Sequence, residues 1–332
     1  MSDVTVVVPT YNRVDRLRRV IESLEAQTTS SSDVSHDVSF EVVVVSDGST
    51  DGTHDYLRDT EFSVSVRWFT QENAGPAHAR NRGIDEARGE LVLFVDDDFV
   101  PAADLVATHV ATHERLGDRV VVIGPMLDPP DFEFSPWTAW EQSMLRKQYD
   151  AMTEGLWPAT ARQFYTANAS VHTEHLRAAG GFDPSFHRME DIELGYRLEE
   201  LGLEFHFEPD ARGFHYAARS YASWLDIAAA YGRNDVVFGR QPGRDNWLDL
   251  VVGGFWRRNP VLQLLLHGTV RSTLLANGLA AIVERTVEPA DRVSRRLSRG
   301  LLSCMYNTAY YRGMAAELGG SRTFFRESWA RR

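Results

Sequence analysis

In the first third of the chain the apolar pattern switches between short continuous runs and helical stripes. Val4-Thr5-Val6-Val7-Val8 is a β-branched run stopped by Pro9 and reads as a strand. Leu17, Val20, Ile21 and Leu24 then recur at helical spacing within 16–27, and the polar, serine-rich stretch 30–39 reads as a loop. The alternation continues with a strand over 40–45, a short helix over 53–58, a strand over 64–69, a helix over 77–87 that stops near Gly89, and a strand over 91–95. Strands alternating with helices predict an α/β fold: a mostly parallel sheet with helices on both faces.

A further strand is expected over 120–123, a loop rich in Pro, Asp and Phe over 128–136, and a helix over 191–201 with Leu194, Leu198 and Leu201 on one stripe and Gly202 as its stop. Beyond residue 220 the strand signal disappears, and helices are expected over 223–238, 260–283 and 291–311. The expected organisation is an α/β domain over 1–220 followed by a helical region over 221–332.

Composition narrows the function classes. The chain has 332 residues, 43% hydrophobic and 25% charged, as in an ordinary soluble globular protein. A net charge of −12 argues against nucleic acid as a partner, because phosphate backbones attract basic faces. The single cysteine, Cys304, excludes an intrachain disulfide and a thiolate metal site, and is read as a small core residue. The N-terminus lacks a basic segment followed by an apolar stretch, and no window reaches about 18 uninterrupted apolar residues, so neither a signal peptide nor a transmembrane helix is expected. The expected compartment is the cytoplasm.

The candidate chemistry lies at strand ends. The run Leu91-Val92-Leu93-Phe94-Val95 ends in Asp96, Asp97 and Asp98, three like charges whose repulsion a divalent cation would relieve. A solvated acidic turn is the plain alternative. On an extended segment Asp96 and Asp98 would point the same way. In parallel sheets ligands sit beyond the carboxyl ends of the strands. Pro9-Thr10-Tyr11, Asp47-Gly48 and Asp96–Asp98 all fall there, so these clusters are expected to share one site.

Five segments then carry a family resemblance. Val6-Val7-Val8-Pro9-Thr10-Tyr11-Asn12-Arg13, Val44-Val45-Ser46-Asp47-Gly48-Ser49-Thr50-Asp51-Gly52-Thr53 and Asn73-Ala74-Gly75-Pro76-Ala77-His78-Ala79-Arg80-Asn81 resemble the family 2 glycosyltransferases, which have the GT-A fold. Asp96-Asp97-Asp98 looks like that family's DXD motif, and Glu190-Asp191 like its acidic acceptor-side pair. The resemblance covers residues 4–215 in the right order. It implies an inverting, metal-dependent transfer from a nucleotide sugar, UDP-linked in the leading reading, to a hydroxyl acceptor that is a glycan, a lipid-linked molecule or a small molecule. The donor half would be 1–100 and the acceptor half 101–220.

Residue by residue, the resemblance implies a donor site made by Pro9, Thr10, Tyr11, Arg13, Asp47, Gly48, Ser49, Asn73, Ala77, Arg80, Asp96 and Asp97. Asp47 would accept from the base, Tyr11 would stack on it, and Arg80 would meet the diphosphate or base. Asp98 would hold Mn²⁺ or Mg²⁺, with Asp96 near the ribose or metal and His215 completing the shell. Asp191 would be the general base, with Glu190 orienting it or binding the acceptor. Plain alternatives are a turn Asp for Asp47, a structural His for His215, an exposed helix charge for Arg80 and helix capping by Glu190-Asp191. Trp157 and 164–168 lie where relatives build the sugar and acceptor wall. A sugar nucleotidyltransferase would need a Gly-rich phosphate loop where Pro9-Thr10-Tyr11-Asn12-Arg13 stands, and the intact acidic motifs argue against a non-catalytic binding module.

The C-terminal third carries no motif of the family. Residues 284–332 hold ten Arg against five acidic side chains in a strongly negative chain. A dimerisation or acceptor-binding module, a peripheral membrane patch, and a plain helical cap with solvated Arg are all consistent with that pattern.

Overall fold

A computed structural model describes residues 3–29, 34, 36–186, 188–244 and 246–332. Of the expected loop over 30–39, residues 30–33 and 35 lie outside the described residues, and 34 and 36–39 are in no helix or strand. The chain divides into two compact units, one made of 3–132 and 144–217, the other of 133–143 and 218–332.

In the first unit the elements run β1 (Val4–Thr10), α1 (Val14–Glu25), β2 (Phe40–Asp47), α2 (Thr53–Asp59), β3 (Ser65–Gln71), α3 (Pro76–Glu86), β4 (Leu91–Val95), β5 (Phe99–Pro101), α4 (Leu105–Leu116), β6 (Val120–Ile123) and β7 (Met126–Leu127). After α5 (Pro136–Thr153), whose start belongs to the second unit, come β8 (Asn168–His172), α6 (Thr173–Ala178), α7 (Glu190–Glu200), β9 (Glu204–Phe207) and β10 (Gly213–His215). Seven strands form one sheet in the order β3-β2-β1-β4-β8-β6-β9, and β5, β10 and β7 form a small second sheet. Only β8 runs antiparallel to its neighbours in the large sheet.

The valine runs make the sheet because both of its faces are covered. Alternation along β1 sends Val6 and Val8 into a core with Leu17, Val20, Ile21 and Leu24 of α1, while Val7 joins Ile84 of α3 and Leu194 of α7 on the other face. The fold is therefore α/β with a mostly parallel central sheet, as the alternation predicted.

Three sequence expectations fail for local reasons. The helix expected over 260–283 is two helices, because Ser272 is extended and its side chain caps the second. The helix expected from Asp291 starts at Arg295, since the preceding helix continues through Pro289 to Val293 and Ser294 caps the next one. The acidic triplet is not extended: the Phe99 N–H donates to the Asp96 carbonyl at 3.1 Å, so the chain turns and Asp96 and Asp98 diverge.

The second unit is helical. It holds the start of α5, then α8 (Tyr221–Phe238), α9 (Trp247–Val251), α10 (Pro260–Arg271), α11 (Thr273–Val293), α12 (Arg295–Glu317) and α13 (Ser321–Ala330). Helices α8 and α12 approach closely through glycines. A Cβ built on Gly232 would lie 1.9 Å from the Tyr310 carbonyl oxygen, and one on Gly313 would lie 2.0 Å from that of Ala229. Aromatic side chains of Tyr221 and Trp224 fill the core beside this contact with Val283, Val287, Leu302 and Met305.

This contact generates a test. Alanine is the better helix former by about 1 kcal/mol, yet Gly232→Ala is expected to destabilise the chain by about 1–3 kcal/mol because backbone, not a movable side chain, fills the space. Gly300→Ala, on the same α12 with nothing within 4 Å, is the control and is expected to be neutral or stabilising. Urea unfolding midpoints of the two variants check this.

Candidate active site

The site forms where β1, β2 and β4 end side by side. Each end delivers polar residues, and each is fixed by contacts to the next. The β1 loop is held by Asn12, which sits at φ 52°. Its N–H donates to Ser49 Oγ at 3.0 Å, and its side-chain oxygen accepts from the Thr50 N–H at 2.7 Å. Asp51 accepts from the Val14 N–H at 2.9 Å and so satisfies an open donor at the start of α1. Thr10 reaches across to β4, its hydroxyl donating to Asp97 at 2.8 Å. Pro9 is half-buried at the end of β1, and Tyr11 beside it is 48% exposed.

Asp47, at the end of β2, is buried and organises the loop after β3. One carboxylate oxygen accepts from Gln71 Nε2 at 2.7 Å and the Ala74 N–H at 3.0 Å; the other accepts from the Gly75 N–H at 2.8 Å. Asn73 Nδ2 donates back to the Asp47 carbonyl at 3.0 Å. An ionised carboxylate accepts about four hydrogen bonds, so these three leave room for one more. Gly48 is at φ 80°, and any side chain there would meet the Asn73 backbone nitrogen at 2.9 Å. Ala77 is buried in the first turn of α3.

The acidic triplet separates into three environments. Asp97 is buried, held by Thr10 and by Arg13 at 2.8 Å. Burial pushes its carboxyl up to about 6 against the pull of Arg13. Asp98 lies under Arg13 at 3.4 Å and Arg16 at 3.1 Å, and its other oxygen faces His215 Nε2 at 3.4 Å. Burial opposes ionisation of Asp98, but His215 and the two guanidinium groups outweigh it and hold the carboxyl well below its usual range. Arg16 was not foreseen in the sequence. Its spacing of three from Arg13 across the start of α1 is the signal that puts both over the triplet.

Asp96 turns instead to Arg80. That guanidinium is 5% exposed and forks between Asp96 at 2.8 Å and Glu190 at 2.9 Å, so it is not a solvated helix charge. Its Nε is buried with no hydrogen-bond partner. Arg80 reaches this depth because α3 lies tight on the sheet: a Cβ on Gly83, one turn on, would stand 2.2 Å from Val7 Cγ1. Arg80 thus links two carboxylates, one at the end of β4 and one at the start of α7.

Glu190 and Asp191 open α7 without a side-chain cap. The preceding Met189 is left-handed at φ 65°, a conformation costly for a non-glycine and common at functional sites. Glu190 turns to Arg80, and the Asp191 carboxylate accepts from the Ile192 N–H at 2.8 Å. Burial, with the neighbouring charge of Glu190 added, pushes the Asp191 carboxyl up to about 7 despite the nearby Arg80. Tyr165, whose hydroxyl donates to Gln148 at 3.3 Å, is close enough for the Asp191 charge to add to the burial that raises its own phenol. The rest of the expected wall is core: Phe164, Thr166, Ala167 and Asn168 are buried, and Asn168 donates to the Pro125 and Ala211 carbonyls. Trp157 is exposed.

Metal chemistry has two possible places among the described residues. Asp98 and His215 offer an ionised oxygen and an imidazole nitrogen side by side, a donor pair that Mn²⁺ accepts. Asp118, Glu174 and His175 bring their ligand atoms within 4.8 Å of one another, but they lie just before β6 and in the first turn of α6, away from the triplet.

Comparison with known proteins agrees with this architecture. The sequence model of "Glycosyl transferase family 2" matches residues 5–174. Validoxylamine A glucosyltransferase of Streptomyces hygroscopicus subsp. jinggangensis is 34% identical over 230 residues, covering 60% of this chain and 52% of that protein. The chain thus spans only half the length of the validoxylamine A glucosyltransferases it matches, 52% of one and 48% of another. Among solved structures, a mannosyltransferase of Pyrobaculum calidifontis in complex with GDP-Man and Mn²⁺ superposes with a TM-score of 0.64 at 21% identity, over 93% of this chain and 86% of that one. TarS of S. aureus (1–349) in complex with UDP gives 0.54 at 19% identity, over 96% and 92%. These two structures share the fold. With the family model covering more than half of the residues and the acidic motifs gathered at the strand ends, the chain belongs to glycosyl transferase family 2.

Proposed function

We propose that this chain transfers a sugar from a nucleoside-diphosphate sugar, UDP-linked in the leading reading, to an acceptor hydroxyl with inversion at the anomeric carbon. One observation carries the reading. A single buried guanidinium, Arg80, joins the donor-side carboxylate Asp96 to the acceptor-side carboxylate Glu190, which places Asp191 beside the end of β4. The order of events follows from the residues. Asp191 takes the acceptor proton as the acceptor oxygen bonds to the anomeric carbon. The bond from that carbon to the diphosphate oxygen breaks on the opposite side, and the leaving diphosphate keeps the electron pair. Asp98 and His215 would hold Mn²⁺ or Mg²⁺, which when bound supplies positive charge against the leaving group. Arg13 and Arg16 hold Asp98 in place and add positive charge on the same side. Asp47, already fixed by three hydrogen bonds, offers its remaining acceptor position to the base. The acceptor hydroxyl belongs to a glycan, a lipid-linked molecule or a small molecule.

A base must be ionised to work. With the Asp191 carboxyl raised to about 7, turnover of a UDP-sugar with an accepted hydroxyl compound is expected to fall tenfold per pH unit below that value. Asp191→Asn should reduce turnover by about 10²–10⁴-fold and remove that acid limb while UDP binding persists. Turnover within a few-fold of the parent would assign the proton to another group.

The same shift has a consequence for stability. Asp191 ionises near 3.8 in the unfolded chain and about 7 in the folded one, so the folded state holds its proton longer and stability falls as pH rises through that window. Asparagine does not titrate. Asp191→Asn is therefore expected to raise the urea midpoint at pH 8, with the gain shrinking as the pH is lowered to 4.

Chelation separates the reading from metal-free alternatives. EDTA should abolish turnover and added Mn²⁺ or Mg²⁺ restore it, whereas Asp98→Asn should leave the enzyme inactive at metal concentrations that saturate the parent. Calorimetry of UDP with unchanged affinity in Asp98→Asn, with and without Mn²⁺, would remove Asp98 from the metal site.

A further inference from the structure

Helices α10 and α11 turn an apolar surface to solvent. Val261, Leu264 and Leu265 recur at i, i+3 and i+4 along α10 and are 70%, 75% and 44% exposed. On α11, Leu275, Ile282 and Val293 recur on one face and are 57%, 61% and 85% exposed. The positions between them on that face, Gly278, Thr286 and Pro289, are also exposed, and none is charged. These side chains are surplus to the core of the unit, which takes Leu266 and Val270 from α10 and Ala276, Val283 and Val287 from α11. The two stripes touch. Leu275 lies 3.7 Å from where a Cβ on Gly268 would stand, and Gly268 continues the Leu264-Leu265 side of α10. Along α11 the surface runs for about 30 Å, the length of a 21-residue helix.

The charge around this surface is the reverse of the chain as a whole. From Leu250 to Val283 there are three arginines, Arg257, Arg258 and Arg271, and no Asp or Glu. From Leu250 to Gly300 eight arginines stand against three acidic residues, in a chain whose net charge is −12. An uncharged apolar stripe edged by arginine matches one environment closely. The apolar side chains enter the boundary between headgroups and acyl chains while the guanidinium groups meet lipid phosphates. A second copy fits less well, because a twofold axis through the patch would bring arginines onto arginines. Among the described residues no helix is long and apolar enough to cross a membrane, so the geometry is that of a helix pair lying on a surface.

We propose that α10 and α11 dock the protein on the surface of an anionic bilayer. The inference rests on the second unit alone and stands apart from the transfer chemistry. Flotation of the full chain with phosphatidylcholine vesicles, with and without phosphatidylglycerol, tests it. The protein is expected to float with the anionic vesicles, to stay behind with phosphatidylcholine alone, and to release as salt is raised. Leu264→Glu, Leu275→Glu and Ile282→Glu together should lower the bound fraction about tenfold or more. Because all three positions are exposed, the circular dichroism and unfolding midpoint should be unchanged; the same three sites changed to Ser provide a second variant without added charge. The proposal is overturned if the parent ignores anionic vesicles, or if both triple variants bind them as well as the parent. It is overturned equally if light scattering finds a dimer in the parent that the same substitutions dissolve, which would make a second copy the occupant.

Discussion

The buried fork of Arg80 is the constraint around which the site is arranged. Asp96 and Glu190 come from parts of the chain far apart in sequence, one from the end of a central strand and one from the start of a helix beyond the antiparallel strand. Placed together without a cation they would repel, and Glu190, almost wholly buried, would lack a partner. A planar guanidinium satisfies both at 2.8 and 2.9 Å with its two ends, which a lysine could not do in the same geometry. The tight seat of Gly83 on Val7 is what lets the fork reach that depth. Asp191 then lies beside a negative neighbour, and burial together with that charge raises its carboxyl.

The remaining acidic residues obey the same rule with different partners. Three consecutive aspartates avoid mutual repulsion because the chain turns and each meets a guanidinium: Arg80 for Asp96, Arg13 for Asp97, and Arg13 with Arg16 for Asp98. The positive φ of Asn12 and of Met189 falls at the two ends of this arrangement, where the backbone holds costly conformations against local contacts. With each carboxylate paired and the backbone held in this way, the triplet is not a solvated acidic turn.

Much of this was legible in the sequence because it depends on period and order. Valine runs and Leu17-Val20-Ile21-Leu24 name the strands and the first helix, and the strand ends name the polar clusters that meet there. What could not be read depends on backbone direction and on long-range partners. The antiparallel insertion of β8 between β4 and β6 leaves no mark in a five-residue strand. The turn at Asp96–Phe99 defeated the period-two reading of the triplet. Burial of Phe164 and Asn168 reflects packing that no local pattern announces. The breaks at Ser272 and Ser294 rest on single extended residues whose side chains cap the next helix, too short to interrupt a helical reading. The Asp96–Arg80–Glu190 link was not foreseen, since it joins residues far apart in sequence.

The central claim is that Asp191 is raised by desolvation and by Glu190, and held from rising further by Arg80. Carboxylate titration followed by carbon NMR of ¹³C-aspartate-labelled protein, with Asp191 assigned from the Asp191→Asn spectrum, measures this directly. The account predicts a titration near neutrality in the parent and a higher one in Arg80→Met, where the compensating charge is gone. A titration of Asp191 near the ordinary value of a solvated aspartate, unmoved by Arg80→Met, would contradict it.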